Sequence, residues 1–251
     1  LSRALLFCFE NKIGSFRVTS SFLPLYTHPI LGYAISDLPS KDEILAKFLQ
    51  NKRFAEQNNL RLTLHPDQFV VLNSNREEVV QSSIKELLYH DILADCLGAD
   101  VINIHLGGVY GDKKESIKRF KKEYLYLPLS LKEKLVIEND DKSYTPEDLL
   151  PVCESLGVPL LYDVHHHRCN PDSSSVEEAS LRAYHTWNRE PVVHISSPKD
   201  EYGQKGQMSH AEYIRSSDFP ELWKSLVPLT VEVEAKAKEL AVFDLMESAY
   251  Q

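Results

Sequence analysis

Positive charge is in short supply in this chain: 28 lysines and arginines face 37 aspartates and glutamates, giving a formal net charge of -9 and a pI near 5.6. A surface coated with basic residues is excluded, so any contact with nucleic acid must be local or be carried by bound cations. Cysteine is scarce too. The four thiols, Cys8, Cys96, Cys153 and Cys169, stand far apart without a CxxC pair. That excludes a small disulfide framework and suits a reducing compartment, where they serve as packing residues. No stretch approaches the ~20 uninterrupted apolar residues of a membrane-spanning helix, and the opening Leu1 to Glu10 has no basic flank and no cleavage signal. A soluble, cytoplasmic protein without a membrane partner is expected. Low-complexity tracts, long linkers and internal sequence repeats are also missing, and nothing calls for an obligate protein partner.

What is present is an alternation. Short apolar runs read as strands at Ser15 to Ser20, Leu60 to His65, Val101 to His105, Lys134 to Glu138, Leu160 to Asp163, Val192 to His194 and Thr230 to Glu234. Their β-branched and leucine-rich character suits strands buried on both faces. Between them lie segments with helical spacing and start signals. Ser40-Lys41-Asp42-Glu43 has the form of a capping box ahead of Ile44, Leu45, Phe48 and Leu49. Ser74 to Glu77 opens a helix with Val80, Ile84, Leu87 and Leu88 on its apolar face and Gly98 at its end. Thr145-Pro146-Glu147 starts a helix that Gly157 terminates, and Ser175 to Glu178 is another box. Two further helices are expected near Pro220 to Leu226 and from Lys238 to Ala249.

Strands alternating with helices predict a parallel sheet, and 251 residues with 43% hydrophobic content suit a single α/β domain, a TIM (β/α)8 barrel of the usual size. Seven strands are visible. Ser2 to Asn11 resembles the helix that should follow a first strand, so that strand is expected to lie before Leu1, and residues 1–251 are expected to hold strands two to eight of one barrel domain.

Six of the runs end on a residue that can bind a metal: His65, His105, Glu138, Asp163, His194 and Glu234. A charged or imidazole group closing a buried strand needs a partner. In a parallel barrel all strand C-termini share one rim, so the six are expected to converge there. Taken singly, His65, His105, His166, His194 and His210 each read as a hydrogen-bonded core histidine; the common rim favours ligands. His105-Leu106-Gly107-Gly108 leaves bare backbone that suits close approach of a metal or substrate, or an ordinary turn. Glu138 closes Leu135-Val136-Ile137 and calls for a bridging metal or for a rim Lys or Arg.

Asp163-Val164-His165-His166-His167 offers oxygen and imidazole donors without thiolate, which suits Mn²⁺, Zn²⁺ or Fe²⁺. Three adjacent histidines cannot all reach one centre, so at least one supports the ligands or faces solvent. Glu232 and Glu234 point the same way on a regular strand; Glu234 is the expected ligand, and Glu232 can instead pair with Arg17. Lys236 is read as a phosphate holder, as neutralising a ligand carboxylate, or as solvated. Several metals at an open barrel mouth suit phosphodiester hydrolysis, and equally sugar isomerisation.

The ordered motifs His65-Pro66-Asp67-Gln68-Phe69, Ile104-His105-Leu106-Gly107-Gly108, Ile137-Glu138-Asn139-Asp140, Asp163 to Pro171, Val193-His194-Ile195-Ser196 and Val233-Glu234-Ala235-Lys236 together resemble the UV damage endonuclease family. The resemblance implies a metal-dependent TIM-barrel nuclease related to endonuclease IV. It implies that damaged double-stranded DNA is nicked immediately 5′ of ultraviolet photoproducts, cyclobutane dimers and 6-4 photoproducts, leaving a 3′-hydroxyl and a 5′-phosphate. By motif it makes His65, His105, Glu138, Asp163, His166, His194, His210 and Glu234 metal ligands, with Glu138 bridging. Glu138, His105, Glu234 and Lys236 become the catalytic set. Two to three divalent ions are implied, Mn²⁺ foremost, with Zn²⁺ or Mg²⁺ as alternatives.

Gln68 and Phe69 are implied to probe the duplex where a lesion is flipped out, as a planar amide and a ring can fill the gap left by unstacked bases; the alternative is that Phe69 is core. Two positions depart from the family. Val192 stands where relatives can carry a modified lysine, which bears on a third metal site around His166 and His210, and Phe69 stands where others have Tyr. Lys199 and Lys205, after the strand of His194, read as phosphate contacts or as part of a solvated loop, and binding through so few contacts should depend on salt. Rival readings are an apurinic-site endonuclease of the same superfamily, a xylose-isomerase-like sugar isomerase, and a barrel whose ions are structural.

Overall fold

Alternating strands and helices run through all of residues 1–249, which a computed structural model describes. They fall into two compact units, residues 1–136 and the described residues from 137 onward.

Unit one comprises α1 (Ser2–Glu10), β1 (Ser15–Val18), α2 (Lys41–Gln57), β2 (Arg61–Leu64), α3 (Glu77–Leu97), β3 (Val101–His105), α4 (Lys113–Tyr126) and α5 (Leu129–Lys134). The three strands are parallel neighbours, with Ser15 opposite Arg61, Val18 opposite Leu64, and Leu64 opposite Ile102. Leu62, Leu64, Val101, Ile102 and Ile104 are buried, as continuous apolar strands beneath helices require. Helix α3 ends as its sequence indicates: Gly98 takes the left-handed conformation at φ 78° and its N–H reaches the Ala94 carbonyl. The start of α2 departs from expectation. The Ser40 side chain makes no capping bond there, and Asp42 and Glu43 place acid in the first turn instead, where the helix dipole favours it. Helix α4, which no run of apolar residues announces, buries only Ser116, Phe120 and Tyr124 and is capped by Asp112, whose carboxylate accepts the Lys114 and Glu115 N–H groups.

Unit two continues from β4 (Leu135–Glu138), whose last two residues belong to it, through α6 (Pro146–Leu156), β5 (Leu160–Asp163), α7 (Val164–Cys169), α8 (Val176–Tyr184), β6 (Val192–Ile195), β7 (Thr230–Val233) and α9 (Glu239–Ala249). β4 to β7 are parallel and adjacent in chain order. Ser175 forms the reciprocal capping box read from sequence, and Thr145, read as the start of its helix, also forms one with Asp148. The helix expected near Pro220 to Leu226 is instead a single 3₁₀ turn, Glu221–Lys224, in which only Trp223 is buried. The register places Asp163 opposite His194 and His194 opposite Glu232, which sets three ionisable groups abreast. Cys8 and Cys153 are buried, and Cys96 and Cys169 are half-buried. Among the described residues no helix is long and apolar enough to cross a membrane.

Candidate metal centre

Asp163 does two jobs. It closes β5, and its Oδ1 accepts the His166 backbone N–H at 2.7 Å as the cap of α7. One helical turn then brings the His166 ring back onto the acids, with Nδ1 3.6 Å from Asp163 Oδ2, 3.3 Å from Glu138 Oε1 and 3.0 Å from the Asn139 carbonyl. A helix turns its side chains by about 100° per residue, so its neighbours face elsewhere. His165 is buried with Nδ1 3.1 Å from the Tyr202 hydroxyl and Nε2 3.7 Å from Cys169 Sγ, and burial first, then the charges of His166 and His210, hold it down to a pKa of about 3. His167 lies between the Tyr162 hydroxyl, 2.7 Å from Nδ1, and Asp172, 3.1 Å from Nε2. Of the three histidines, His166 approaches Glu138 and Asp163, whereas His165 and His167 are buried against other partners.

His194 occupies the middle of the cluster. Its Nδ1 lies 3.0 Å from Glu138 Oε1, 3.3 Å from Glu234 Oε1 and 3.9 Å from Asp163 Oδ2, while Nε2 lies 3.3 Å from Glu232 Oε2. Glu232 thus meets His194 as well as sharing its strand pairing. His210, bridged to Pro198 in antiparallel fashion, brings Nδ1 to 3.9 Å from Glu234 Oε2.

Glu138, Asp163 and His194 are almost wholly buried and offer donor atoms within 4.8 Å of one another. Asp163 Oδ2 is buried without a hydrogen-bond partner. Burial pushes the Asp163 carboxyl up to about 6; Glu138 and Glu234 reinforce the rise, and His166 and His194 resist it. For His166 burial acts downward, but Asp163 and Glu138 outweigh it and hold the imidazole well above its ordinary value. A largely buried set of three acids and two imidazoles with a carboxylate oxygen left over is poorly neutralised by its own residues. A divalent cation fits that donor set: hard oxygens with imidazole and no thiolate.

In unit one, His65 follows β2 and His105 ends β3, both half-buried, with ring centroids 5.5 Å apart. His65 Nδ1 is held 2.9 Å from the Pro66 carbonyl. With Arg17, Asp67 and Gln68 the two histidines line a cavity of about 630 Å³. Phe69 follows in a turn closed by Val70 N–H on the Asp67 carbonyl, and its own N–H donates to the Asp67 carboxylate. Phe69 is 75% exposed, so the alternative that it belongs to the core is overturned: the turn faces it away from the packed strands. Lys199, Lys205 and Lys236 are exposed.

The sequence motifs include Asn139 without giving it a role. Its amide oxygen accepts the Asp163 N–H and its amide nitrogen donates to the Asp163 carbonyl, both at 2.9 Å, and it is fully buried. A buried amide directly after a strand-end glutamate is the signal that could have found it, since such a group must find partners.

The profile of the family described as UV-endonuclease UvdE matches residues 1–251. The UV DNA damage endonuclease of Bacillus velezensis is 33% identical over 256 residues, spanning 98% of this chain and 78% of that protein. The crystal structure of SacUVDE is similar with a TM-score of 0.87 at 33% identity, over 99% of this chain and 85% of that one. Endonuclease IV from Thermus thermophilus has a TM-score of 0.69 at 17% identity, over 99% and 93%, and shares the fold alone. The TIM-barrel class expected from the alternation of elements is the class of these structures.

Proposed function

The chain belongs to the UV-endonuclease UvdE family, and from that premise we propose that it is a metal-dependent DNA repair endonuclease that nicks damaged duplex DNA immediately 5′ of ultraviolet photoproducts, leaving a 3′-hydroxyl and a 5′-phosphate. The observation that carries the metal dependence is the largely buried cluster of Glu138, Asp163, His194, His166 and Glu234, with Asp163 Oδ2 lacking a hydrogen-bond partner. These residues, with His210, would hold divalent ions, Mn²⁺ first among them, and His65 and His105 are proposed as further ligands, for two to three ions per chain. Ions so held would supply the positive charge that an acidic chain lacks and the Lewis acidity that phosphodiester cleavage needs.

The chain's own groups do the rest. Asn139 fixes the Asp163 backbone and Asp163 caps α7, so the acid and His166 are held in place together before DNA arrives. Lys236, which is exposed, would meet a phosphate. Gln68 and Phe69 reach out from the turn after β2, where a planar amide and a ring would occupy the gap left by an extruded dinucleotide; damaged bases stack poorly, so their extrusion costs less than that of intact ones.

A plasmid nicking assay tests the reading. With Mn²⁺, irradiated plasmid should be cut and unirradiated plasmid spared, and Glu138→Gln should abolish cutting. Equal cutting of both plasmids, or none of either, overturns it; preferential cutting of an abasic oligonucleotide would replace it with the apurinic-site activity.

A further inference from the structure

The loop from Gly107 to Asp112 follows β3 on the same rim as the Phe69 turn that follows β2, because the two strands are adjacent and parallel. At its tip, Val109 to Asp112 form a turn closed by Asp112 N–H on the Val109 carbonyl at 3.1 Å. Both central residues have positive φ, Tyr110 at 48° and Gly111 at 84°, the sign pattern of a type I′ turn. That turn prefers Asn or Gly at its first central position, and a bulky aromatic there is an outlier.

The Tyr110 side chain is 43% exposed. Yet the surrounding residues hold it firmly. Asn73 donates its amide to the Gly108 carbonyl at 2.7 Å, Ser116 donates to the Val109 carbonyl, and Arg119 donates to the Asn73 carbonyl at 2.8 Å. Gly107 passes so close that a Cβ there would lie 2.3 Å from Asn73 Oδ1. The Tyr110 ring rests near Gly108, and the Arg119 guanidinium lies over it, 5.6 Å from the centroid. Asn73 thereby ties the Tyr110 loop to the segment that carries Phe69.

We infer that Tyr110 is a second aromatic platform, on which a nucleobase of the bound DNA stacks beside the site probed by Phe69. The inference rests on the nuclease reading proposed above. Strained backbone that presents an exposed ring, kept by a built set of hydrogen bonds, is the pattern expected where stability has been traded for contact. Ring-on-base stacking is tolerant of sequence, as a lesion-seeking protein needs.

The test uses single-turnover nicking of a duplex carrying one defined photoproduct, across enzyme concentrations, with a thermal melt of each protein. Tyr110→Asn relieves the positive φ, so it should melt at or above the wild-type temperature while its half-saturating concentration rises about tenfold. Tyr110→Phe keeps the stacking face and should saturate within about twofold of wild type. Saturation of Tyr110→Asn at the wild-type concentration overturns the inference, as does a loss in Tyr110→Phe equal to that in Tyr110→Asn. If wild type itself fails to nick, the nuclease reading has fallen, and fluorescence anisotropy with a single-stranded oligonucleotide decides the platform separately: weaker binding by Tyr110→Asn supports it, and equal binding overturns it.

Discussion

Replacing Asn139 by Ala isolates the scaffolding of the cluster from its ligands. The change removes two hydrogen bonds of 2.9 Å to the Asp163 backbone and leaves a fully buried N–H without the acceptor that the amide supplied. Two net bonds of about 1 kcal/mol each, with a further penalty for the stranded donor, give a loss of roughly 2–4 kcal/mol. For a chain of this size that corresponds to a melting temperature lower by about 4–8 °C. The His166 contact to residue 139 uses the backbone carbonyl, so it survives the substitution. Any weakening of metal binding then reports the position of Asp163 alone, and it should amount to about 10- to 100-fold. The measurements are a thermal melt of ion-free protein and a Mn²⁺ titration followed by calorimetry. A melt within about 1 °C of wild type, against the several degrees expected from the lost bonds, together with unchanged Mn²⁺ affinity, would refute the claim that Asn139 holds Asp163 in place.

Phe69→Ala should leave the melting temperature nearly unchanged, because a side chain 75% exposed contributes within about 0.5 kcal/mol, yet it should weaken binding to irradiated duplex by roughly tenfold; unchanged binding in an anisotropy assay would remove Phe69 from the interface. Asp172 gives a pH signature. Burial acts to raise its carboxyl, but the N–H groups of Glu147 and Ser174 and the His167 ring outweigh burial and hold it below the ordinary value of 3.8. The stability it confers is therefore present above pH 3.8 and lost as pH falls through its lower folded-state value. Asp172→Asn should melt below wild type at about pH 7, and the gap should close as both are acidified; a gap that stays constant down to about pH 2 contradicts the assignment.

Strand ends were the most legible part of this sequence. Val101–His105 and Leu160–Asp163 stand where the apolar runs stop, since a run buried on both faces tolerates an ionisable group only at its end. Glycine at 98 and 157 marked two helix ends because no other residue enters the left-handed region so readily. Helix α4 was not legible: its lysines and glutamates leave three buried positions, too few to register as a period. Nor was the exposure of Phe69, since an aromatic beside Val70 and Val71 has the same composition whether the turn faces it inward or outward.

The order of elements, the parallel sheet and the donor types at the strand ends were determined by the sequence by itself, because hydrophobic period and capping chemistry act locally along the chain. Tertiary structure alone decided which donors meet. The turn of α7 chose His166 over its two neighbours, the register of β5, β6 and β7 set Asp163, His194 and Glu232 abreast, and Asn139 gained its function from an Asp163 that lies 24 residues away. Contact between residues distant in sequence depends on how elements pack, and spacing along the chain carries no trace of it.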